Sequence, residues 1–264
     1  MLEVDRLRVR YGGFEAVKGV SWRVGAGEAL GLVGTSGCGK STTARAVVGL
    51  VPPAGGAVRF EGRDVAALAP AERRDFRRRV QMVFQDAHGS LNPRMTVRAM
   101  LAEALTVHRM VDGRAAVEDR CRALLDQVGL AAAALDQYPR ELSGGQCQRV
   151  SLARCLAVEP RVLLADEPVS ALDVSVQARI INLLREVQGR LGLALVLIAH
   201  DLAVVRNVCD RICVMADGVI VEEGPAAVVI GAPRHPRTRA LVDAVPTLHV
   251  QQSLPAVSRY PEEV

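Results

Sequence analysis

A glycine-rich stretch, Gly34-Thr35-Ser36-Gly37-Cys38-Gly39-Lys40-Ser41, stands between two segments of different pattern. Residues 28–33 before it are typical of a short buried strand, and residues 42–48 after it are typical of a helix. Glycines let backbone N–H groups approach an anion, and the first turn of a helix adds a partial positive charge. Strand, loop and helix together match the P-loop pattern, for which the alternative is a glycine-rich turn that happens to precede a helix.

The lysine and the hydroxyl residues of this stretch suit a nucleoside triphosphate. Lys40 supplies a point charge for the β- and γ-phosphates, and Ser41 supplies an oxygen for Mg²⁺. An adenine also needs a flat apolar face, which Tyr11 can offer in a chain with only 3% aromatic residues. A tyrosine beside a turn equally often closes a small core, so stacking and core packing both remain open.

Length and composition favour an aliphatic α/β protein. The 264 residues allow one large domain or two small ones, and half of them are hydrophobic. The net charge of +4 is too small by itself to indicate nucleic acid binding, and no apolar run reaches membrane-spanning length. Six cysteines without a C-x-x-C pair, and a start without signal-peptide features, predict free thiols in a reducing cytosol.

Two acidic residues follow an apolar run in the second half of the chain. Residues 162–165 have the pattern of a buried parallel strand that leads directly into Asp166 and Glu167. Because ligands gather at the carboxyl ends of strands in open α/β sheets, both carboxylates are expected near the P-loop. Asp166 can then hold Mg²⁺, and Glu167 can orient and polarise the attacking water. The alternative is a solvated pair of acids at a strand end.

Gln85 and His200 also follow apolar, strand-like runs, at residues 80–84 and 193–199. An amide at such a position can contact a metal or a water, and a histidine can reach the γ-phosphate. A surface glutamine and a capping or surface histidine are the alternatives for the two residues taken singly.

Residues 86–155 change to a helical pattern. One-face spacing indicates a helical lobe, through the apolar residues Val117, Cys121, Leu124, Leu125 and Val128. The lobe ends at residues 142–146, where Ser143, Gly144 and Gly145 open a further helix and make a second anion site. One nucleotide needs only one phosphate-binding loop in its own subunit. The second anion site therefore suggests that it binds a phosphate of the nucleotide held by another copy. Ordinary N-capping by Ser143 is the alternative.

Three later segments complete the pattern. Apolar positions predict the buried face of a helix formed by Ile180, Leu183, Leu184, Val187 and Leu191. Residues 212–215 and 219–221 flank a plausible hairpin turn, whereas the chain beyond Pro233 is expected to pack loosely.

In this order and spacing, the motifs resemble the ATP-binding cassette of ABC transporters over roughly residues 2–231. The matching pieces are Tyr11 (adenine loop), residues 34–41 (Walker A), Gln85 (Q-loop), residues 142–146 (signature), residues 162–167 (Walker B), residues 170–173 (D-loop) and His200 (switch histidine). Any one of these motifs is weak evidence, but the whole ordered set is highly specific.

The resemblance implies an α/β fold: a P-loop NTPase (RecA-like) core with an N-terminal antiparallel β subdomain and an inserted α-helical subdomain at about residues 86–155. It places the ATP-binding domain in residues 1–231 and a short extension with a His-Pro segment in residues 232–264.

The resemblance also implies the roles of individual residues. The expected catalytic residues are Glu167, His200 and Gln85, and the expected Mg²⁺ ligands are Ser41, Gln85 and Asp166. The expected ATP-binding residues are Tyr11, Gly34, Thr35, Ser36, Gly37, Cys38, Gly39, Lys40, Ser41, Thr42 and Asp166. The expected residues of the signature, acting on the partner's ATP, are Ser143, Gly144, Gly145 and Gln146, with Asp173 in the D-loop.

A narrower resemblance is to the peptide and nickel import ATPases, and it rests on residues 85–86, 89–97, 235–241 and 245–246. It implies a subunit that hydrolyses ATP, sandwiched between two cassettes, to energise import of peptides or nickel. The implied partners are a second ATPase, related or identical, two permease subunits and a separate substrate-binding protein, at the cytoplasmic face of the inner membrane. The alternative is an ABC ATPase of a soluble complex such as phosphonate-cleavage machinery. Nucleic acid is not an expected partner.

Overall fold

Two β-sheets organise the protein, and the computed structural model describes residues 1–170 and 172–244. The strands are β1 (Leu2–Tyr11), β2 (Phe14–Val24), β3 (Ala29–Val33), β4 (Gly55–Phe60), β5 (Arg63–Asp64), β6 (Val80–Val83), β7 (Val162–Asp166), β8 (Ala194–Ala199), β9 (Arg211–Ala216) and β10 (Val219–Pro225).

Ten α-helices pack around these sheets in the described part of the chain. They are α1 (Lys40–Val47), α2 (Pro70–Arg79), α3 (Ala87–Ser90), α4 (Val97–Val107), α5 (Arg114–Gln127), α6 (Gly144–Leu156), α7 (Val174–Leu191), α8 (Leu202–Arg206), α9 (Ala226–Gly231) and α10 (Pro236–Asp243). Short 3₁₀ helices occupy Val65–Ala67, Ala132–Asp136 and Pro139–Glu141. None of the described helices is long and apolar enough to cross a membrane.

The larger sheet has six strands in the order β10-β9-β3-β8-β7-β6. All its neighbours pair in parallel except β9 and β10, which form the predicted hairpin. Every residue of β3, β7 and β8 is buried, which explains why these strands read as continuous aliphatic runs. The parallel register aligns their carboxyl ends, so the residues that follow them meet at one edge.

The smaller sheet is antiparallel, with the strand order β2-β1-β4-β5. In β1, buried residues such as Leu2, Val4, Leu7 and Val9 alternate with more exposed ones, the pattern of a sheet with one face on the core. The α/β core and this N-terminal antiparallel sheet confirm the predicted fold class.

The helical insertion lies between β6 and β7 and comprises α3 to α6. Cys121, Leu124, Leu125 and Val128 are fully buried, as their spacing predicts. They belong to the same cluster of buried residues as Leu163 and other side chains of the larger sheet. The insertion is therefore anchored on the sheet that carries the strand ends.

The structure corrects one expectation about the later part of the chain in full and a second over residues 234–244. Leu191 keeps 46% of its surface exposed because it is the last residue of α7, beyond the stretch that packs on the sheet. Over residues 234–244 the chain is anchored and not loose, since Thr238 of α10 is fully buried and Glu222 accepts hydrogen bonds from the backbone N–H groups of Arg234 and His235. Residues 245–264, including the 245–246 pair, and Ala171 of the D-loop lie outside the described residues.

Candidate active site

The P-loop joins β3 to α1 and is closed around its own lysine. Lys40 is only 4% exposed, and its Nζ donates to the carbonyl oxygens of Gly34 at 2.8 Å and Thr35 at 3.0 Å. A buried ammonium needs such acceptors, because desolvating an unpaired charge is costly. The loop therefore holds Lys40 in place before any phosphate arrives.

Two glycines of this loop lie where a side chain does not fit. Gly34 and Gly39 have φ angles of +156° and +105°. A Cβ would lie 2.2 Å from the carbonyl oxygen of Met215 at Gly34, and 2.6 Å from that of Ala16 at Gly39. The loop thus packs against both sheets, and glycine is required by space as well as by backbone conformation.

Ser41 and Asp166 meet at the start of α1. The Ser41 hydroxyl donates to Oδ1 of Asp166 at 2.7 Å, across 125 residues of sequence. Asp166 is fully buried, and its second oxygen, Oδ2, has no hydrogen-bond partner among the described residues. Burial raises the pKa of Asp166 above its ordinary value, against the opposing hydrogen bond from Ser41 and the charge of Arg45. A buried carboxylate with an unpartnered oxygen is a place for a cation.

Glu167 is contacted by three other predicted site residues. Its Oε2 accepts from Nε2 of Gln85 at 3.1 Å and lies 3.4 Å from Nδ1 of His200, while its Oε1 lies 3.9 Å from Nζ of Lys40. The residue has a φ of +43°, a left-handed conformation uncommon for a side chain of this size. Its side chain is 12% exposed, so it is shielded but reachable by a water.

A cleft of about 410 Å³ opens above the P-loop. Its lining includes Ser36, Gly37, Lys40, Ser41, Thr42, Gln85 and Glu167, together with Tyr11 and Phe14. Thr35 contributes the carbonyl that Lys40 contacts, and Cys38 is 5% exposed within the loop. The structure therefore gathers the P-loop, Gln85, Asp166, Glu167 and His200 at one edge of the sheet.

Phe14 is a residue that sequence reasoning missed. It pairs directly across the β1–β2 turn with Tyr11, and the two rings are 65% and 47% exposed. Two neighbouring exposed apolar rings indicate a surface that a ligand or a partner covers. The sequence signal for Phe14 is its place three residues after Tyr11 in a chain with only 3% aromatic residues.

The predicted signature residues lie elsewhere. Ser143 caps α6: its Oγ accepts from the N–H of Gln146 at 3.3 Å, and its own N–H donates to Oε1 of Gln146 at 2.8 Å. The described lining of the P-loop cleft includes none of residues 143–146. Gly144 instead borders a groove with Gln85, His88 and Leu172. Asp173 caps α7, accepting from the N–H of Val176 at 3.0 Å.

Comparison with known proteins identifies the family that the ordered motifs resemble. The model of the ABC transporter family matches residues 17–170. The oligopeptide transport ATP-binding protein OppF of Salmonella typhimurium is 49% identical over 232 residues, which are 88% of this chain and 70% of that protein. OppF of Bacillus subtilis is 44% identical over 251 residues, which are 93% of this chain and 82% of that protein.

Solved structures of ATP-binding cassettes are also similar to this protein. The dimeric, post-hydrolysis ATP-binding cassette MJ0796 bound to ADP and Pi is similar with a TM-score of 0.76 and 29% identity, covering 86% of this chain and 99% of that one. CbiO1 from Clostridium perfringens is similar with a TM-score of 0.77 and 28% identity, covering 88% of this chain and 90% of that one. The ordered motifs predicted the family that these comparisons confirm: this chain belongs to the ABC transporter family.

Proposed function

We propose that this protein is the ATP-hydrolysing subunit that energises import of peptides through an ABC transporter. The observation that carries the hydrolytic part is the Glu167 carboxylate, which Lys40, Gln85 and His200 surround at the P-loop cleft. The cargo is proposed from the relatives, whose names specify oligopeptide transport and peptide import.

Each side chain at the cleft has a distinct task in this proposal. Lys40 and the backbone N–H groups of the loop bind the β- and γ-phosphates, and Tyr11 stacks on the adenine. Glu167 accepts a proton from the water that attacks the γ-phosphorus, as the bond to the ADP oxygen breaks. Gln85 and His200 contact the Glu167 carboxylate, so they position this base and, through it, the attacking water.

Mg²⁺ fits the oxygen atoms that Ser41 and Asp166 present, with Gln85 as the further proposed ligand. Hard oxygen donors suit this ion, and the unpartnered Oδ2 of Asp166 gives a negative atom that it would satisfy. When bound, Mg²⁺ neutralises charge on the phosphate oxygens.

A second cassette completes the site in this proposal. The helix start at residues 143–146 offers N–H groups of Gly144 and Gly145 for a phosphate, yet it lies outside the P-loop cleft of its own chain. Two copies, or this chain and a related one, would each offer this helix start, with Asp173 in the adjoining D-loop, to the nucleotide of the other. The dimeric cassettes among the solved structures support this arrangement.

Two permease subunits and a separate substrate-binding protein are the proposed further partners. The ATPase would then lie at the cytoplasmic face of the inner membrane, held there by the permeases. Nucleic acid is not a proposed partner. The comparisons give no support to the alternative of a soluble phosphonate-cleaving complex.

The proposed role of Glu167 is tested by Glu167→Gln. Amide for carboxylate keeps the shape but removes the base, so turnover should fall by about two to four powers of ten. ATP affinity, measured by calorimetry, should change little because Lys40 and the loop are untouched. Glu186→Gln, on the exposed surface of α7, is the matched control. Undiminished hydrolysis by purified Glu167→Gln would remove this role.

The cargo is tested in a host strain in which the gene is disrupted. An auxotroph fed its required amino acid only as an oligopeptide should stop growing, and the parent gene but not Glu167→Gln should restore growth. Nickel uptake and growth on a phosphonate are measured in parallel. Normal peptide use together with a defect in either parallel assay would contradict peptide import.

A further inference from the structure

A second cavity, of about 400 Å³, lies between α1, β4 and α2. It shares no lining residue with the P-loop cleft among the described residues. Its floor is apolar and buried, with Val47 at 1%, Val58 at 7% and Phe76 at 3% exposure. Cavities of this size and apolar character are typical of small-molecule sites.

The local sequence explains why the cavity is not filled. After α1 the chain turns at Gly49, with a φ of +77°, and Pro52-Pro53 then form part of the wall. Gly56 contributes no side chain, and a Cβ there would lie 2.3 Å from the carbonyl oxygen of Arg6. On the other side, Phe76 is held against Phe60 in an edge-to-face contact at 5.6 Å. The walls of the cavity are therefore formed by segments whose backbone or side chains have little freedom to move into it.

Two arginines border this apolar floor. Arg73 and Arg77 lie one turn apart on α2 and both line the cavity. Neither forms an ion pair with a described carboxylate, in contrast to Arg78 and Arg79, which pair with Asp75. Among the residues that the structure describes, the Arg73 side chain donates to the carbonyl oxygens of Ala66 and Leu68, at 3.4 Å and 3.2 Å.

The remaining charge at the cavity does not cancel these two. Asp64 is its acidic lining residue, and its Oδ1 already accepts the N–H of Ala66 at 2.9 Å. The cavity therefore combines a buried apolar floor with an excess of positive charge on one side. Guanidinium groups in this setting suit a carboxylate, sulfonate or phosphate.

We propose that this cavity is a binding site for a small amphipathic anion. The apolar body of the ligand lies against Val47, Val58 and Phe76, and its anionic group pairs with Arg73 and Arg77. The site is separate from the nucleotide cleft and does not depend on the proposed cargo. It contacts the C-terminal end of α1, whose first residues are Lys40 and Ser41.

The test uses the purified full chain with ADP and Mg²⁺ in excess, which keeps the probe out of the nucleotide cleft. The probe is 8-anilinonaphthalene-1-sulfonate, an aromatic body with one negative charge, and its fluorescence gives the affinity. Arg73→Gln/Arg77→Gln should weaken binding about tenfold, the loss of a charge-assisted contact. Arg74→Gln, an exposed arginine of the same helix outside the cavity, should bind as the parent does.

Two further measurements separate this site from unspecific binding. The uncharged probe N-phenyl-1-naphthylamine should bind the parent and the double variant equally, because it uses only the apolar floor. Hydrogen exchange with saturating sulfonate probe should show protection in residues 46–58 and 64–77. Equal sulfonate affinity in the double variant and in Arg74→Gln, or protection only elsewhere, overturns the proposal. ADP affinity of all variants verifies that they are folded.

Discussion

Asp166 is the residue at which the stability of the folded protein and the proposed Mg²⁺–nucleotide site have opposite requirements. Its carboxylate is buried with one unpartnered oxygen, and burial raises its pKa. A raised pKa in the folded state means that ionisation costs stability at every pH above that pKa. The cost disappears as the pH falls toward the ordinary value of 3.8.

Asp166→Asn should therefore stabilise the metal-free, nucleotide-free protein at pH 7–8. The variant should unfold at a higher Tm than the parent, because the asparagine amide carries no charge that burial penalises. Thermal unfolding in EDTA as a function of pH measures this, and the gap between variant and parent should narrow toward pH 4. Addition of Mg²⁺ and ATP should stabilise the parent more. A variant less stable than the parent at pH 8 would contradict the reasoning.

Phe14 should contribute to nucleotide affinity through the base alone. Loss of an aromatic contact with a base costs about 1 kcal/mol or more, so Phe14→Ala should weaken ATP binding roughly fivefold. Inorganic tripolyphosphate has no base, and calorimetry should find its affinity unchanged. Val228→Ala removes a comparably exposed apolar side chain far along the chain and serves as control. If Phe14→Ala lowers the affinity for tripolyphosphate as much as the affinity for ATP, Phe14 acts on the P-loop and not on the base.

The packing of α6 on α7 explains one glycine of the signature. A Cβ at Gly145 would lie 2.6 Å from Cγ1 of Val176, a β-branched side chain that cannot easily turn away. Gly145→Ala should therefore cost about 1–3 kcal/mol, seen as a fall in Tm of about 2–4 °C for each kcal/mol.

The double variant Gly145→Ala/Val176→Ala separates packing from phosphate binding. Removal of the valine methyls makes room, so Tm should return to near the parent value. Hydrolysis should stay low if the proposed dimer is right, because the new methyl still lies at the helix start that would bind the partner's phosphate. Full recovery of hydrolysis would mean that Gly145 serves packing only.

The sequence was informative about elements with strong local signals. The aliphatic runs of β3, β7 and β8 and the turn chemistry at Asp217-Gly218 needed no knowledge of the remainder of the fold. The grouping of the site residues was predictable because residues that directly follow parallel strands lie at the same edge of the sheet. Contacts that depend on distant pairing were not predictable. The hydrogen bond between Glu222 and the backbone of His235, and the position of the Tyr11–Phe14 turn beside the P-loop, are visible only once the sheets are assembled.

At the scale of the whole molecule, the prediction concerns association. Glu167→Gln retains ATP and should form cassette dimers in ATP and Mg²⁺ but not in ADP, either with itself or with a related cassette. Analytical ultracentrifugation measures this, and Lys40→Ala, which lacks the phosphate contact, is the control. Absence of any ATP-dependent dimer with either kind of partner would contradict the proposed sharing of sites.

A mixing experiment tests which residues are shared. Lys40→Ala damages the P-loop, and Ser143→Arg places a bulky charge at the helix start of α6, so each variant alone should be inactive. A mixed dimer contains one intact P-loop opposite one intact helix start, and it should recover about half of the sites. No recovery in dimers shown to be mixed would argue that each chain uses its own signature.

All six cysteines are buried, and burial raises the pKa of every one of their thiols, to about 11 for Cys147 and Cys155 and about 12 for Cys213. Thiolates are the reactive form, so alkylating dyes should modify the native protein slowly at neutral pH. A single cysteine introduced at Val107, which is 66% exposed, would then be the preferred attachment point without prior removal of the natural ones. Distances between spectroscopic labels at this position in two subunits could then be measured as the proposed dimer opens and closes, with no other change to the chain.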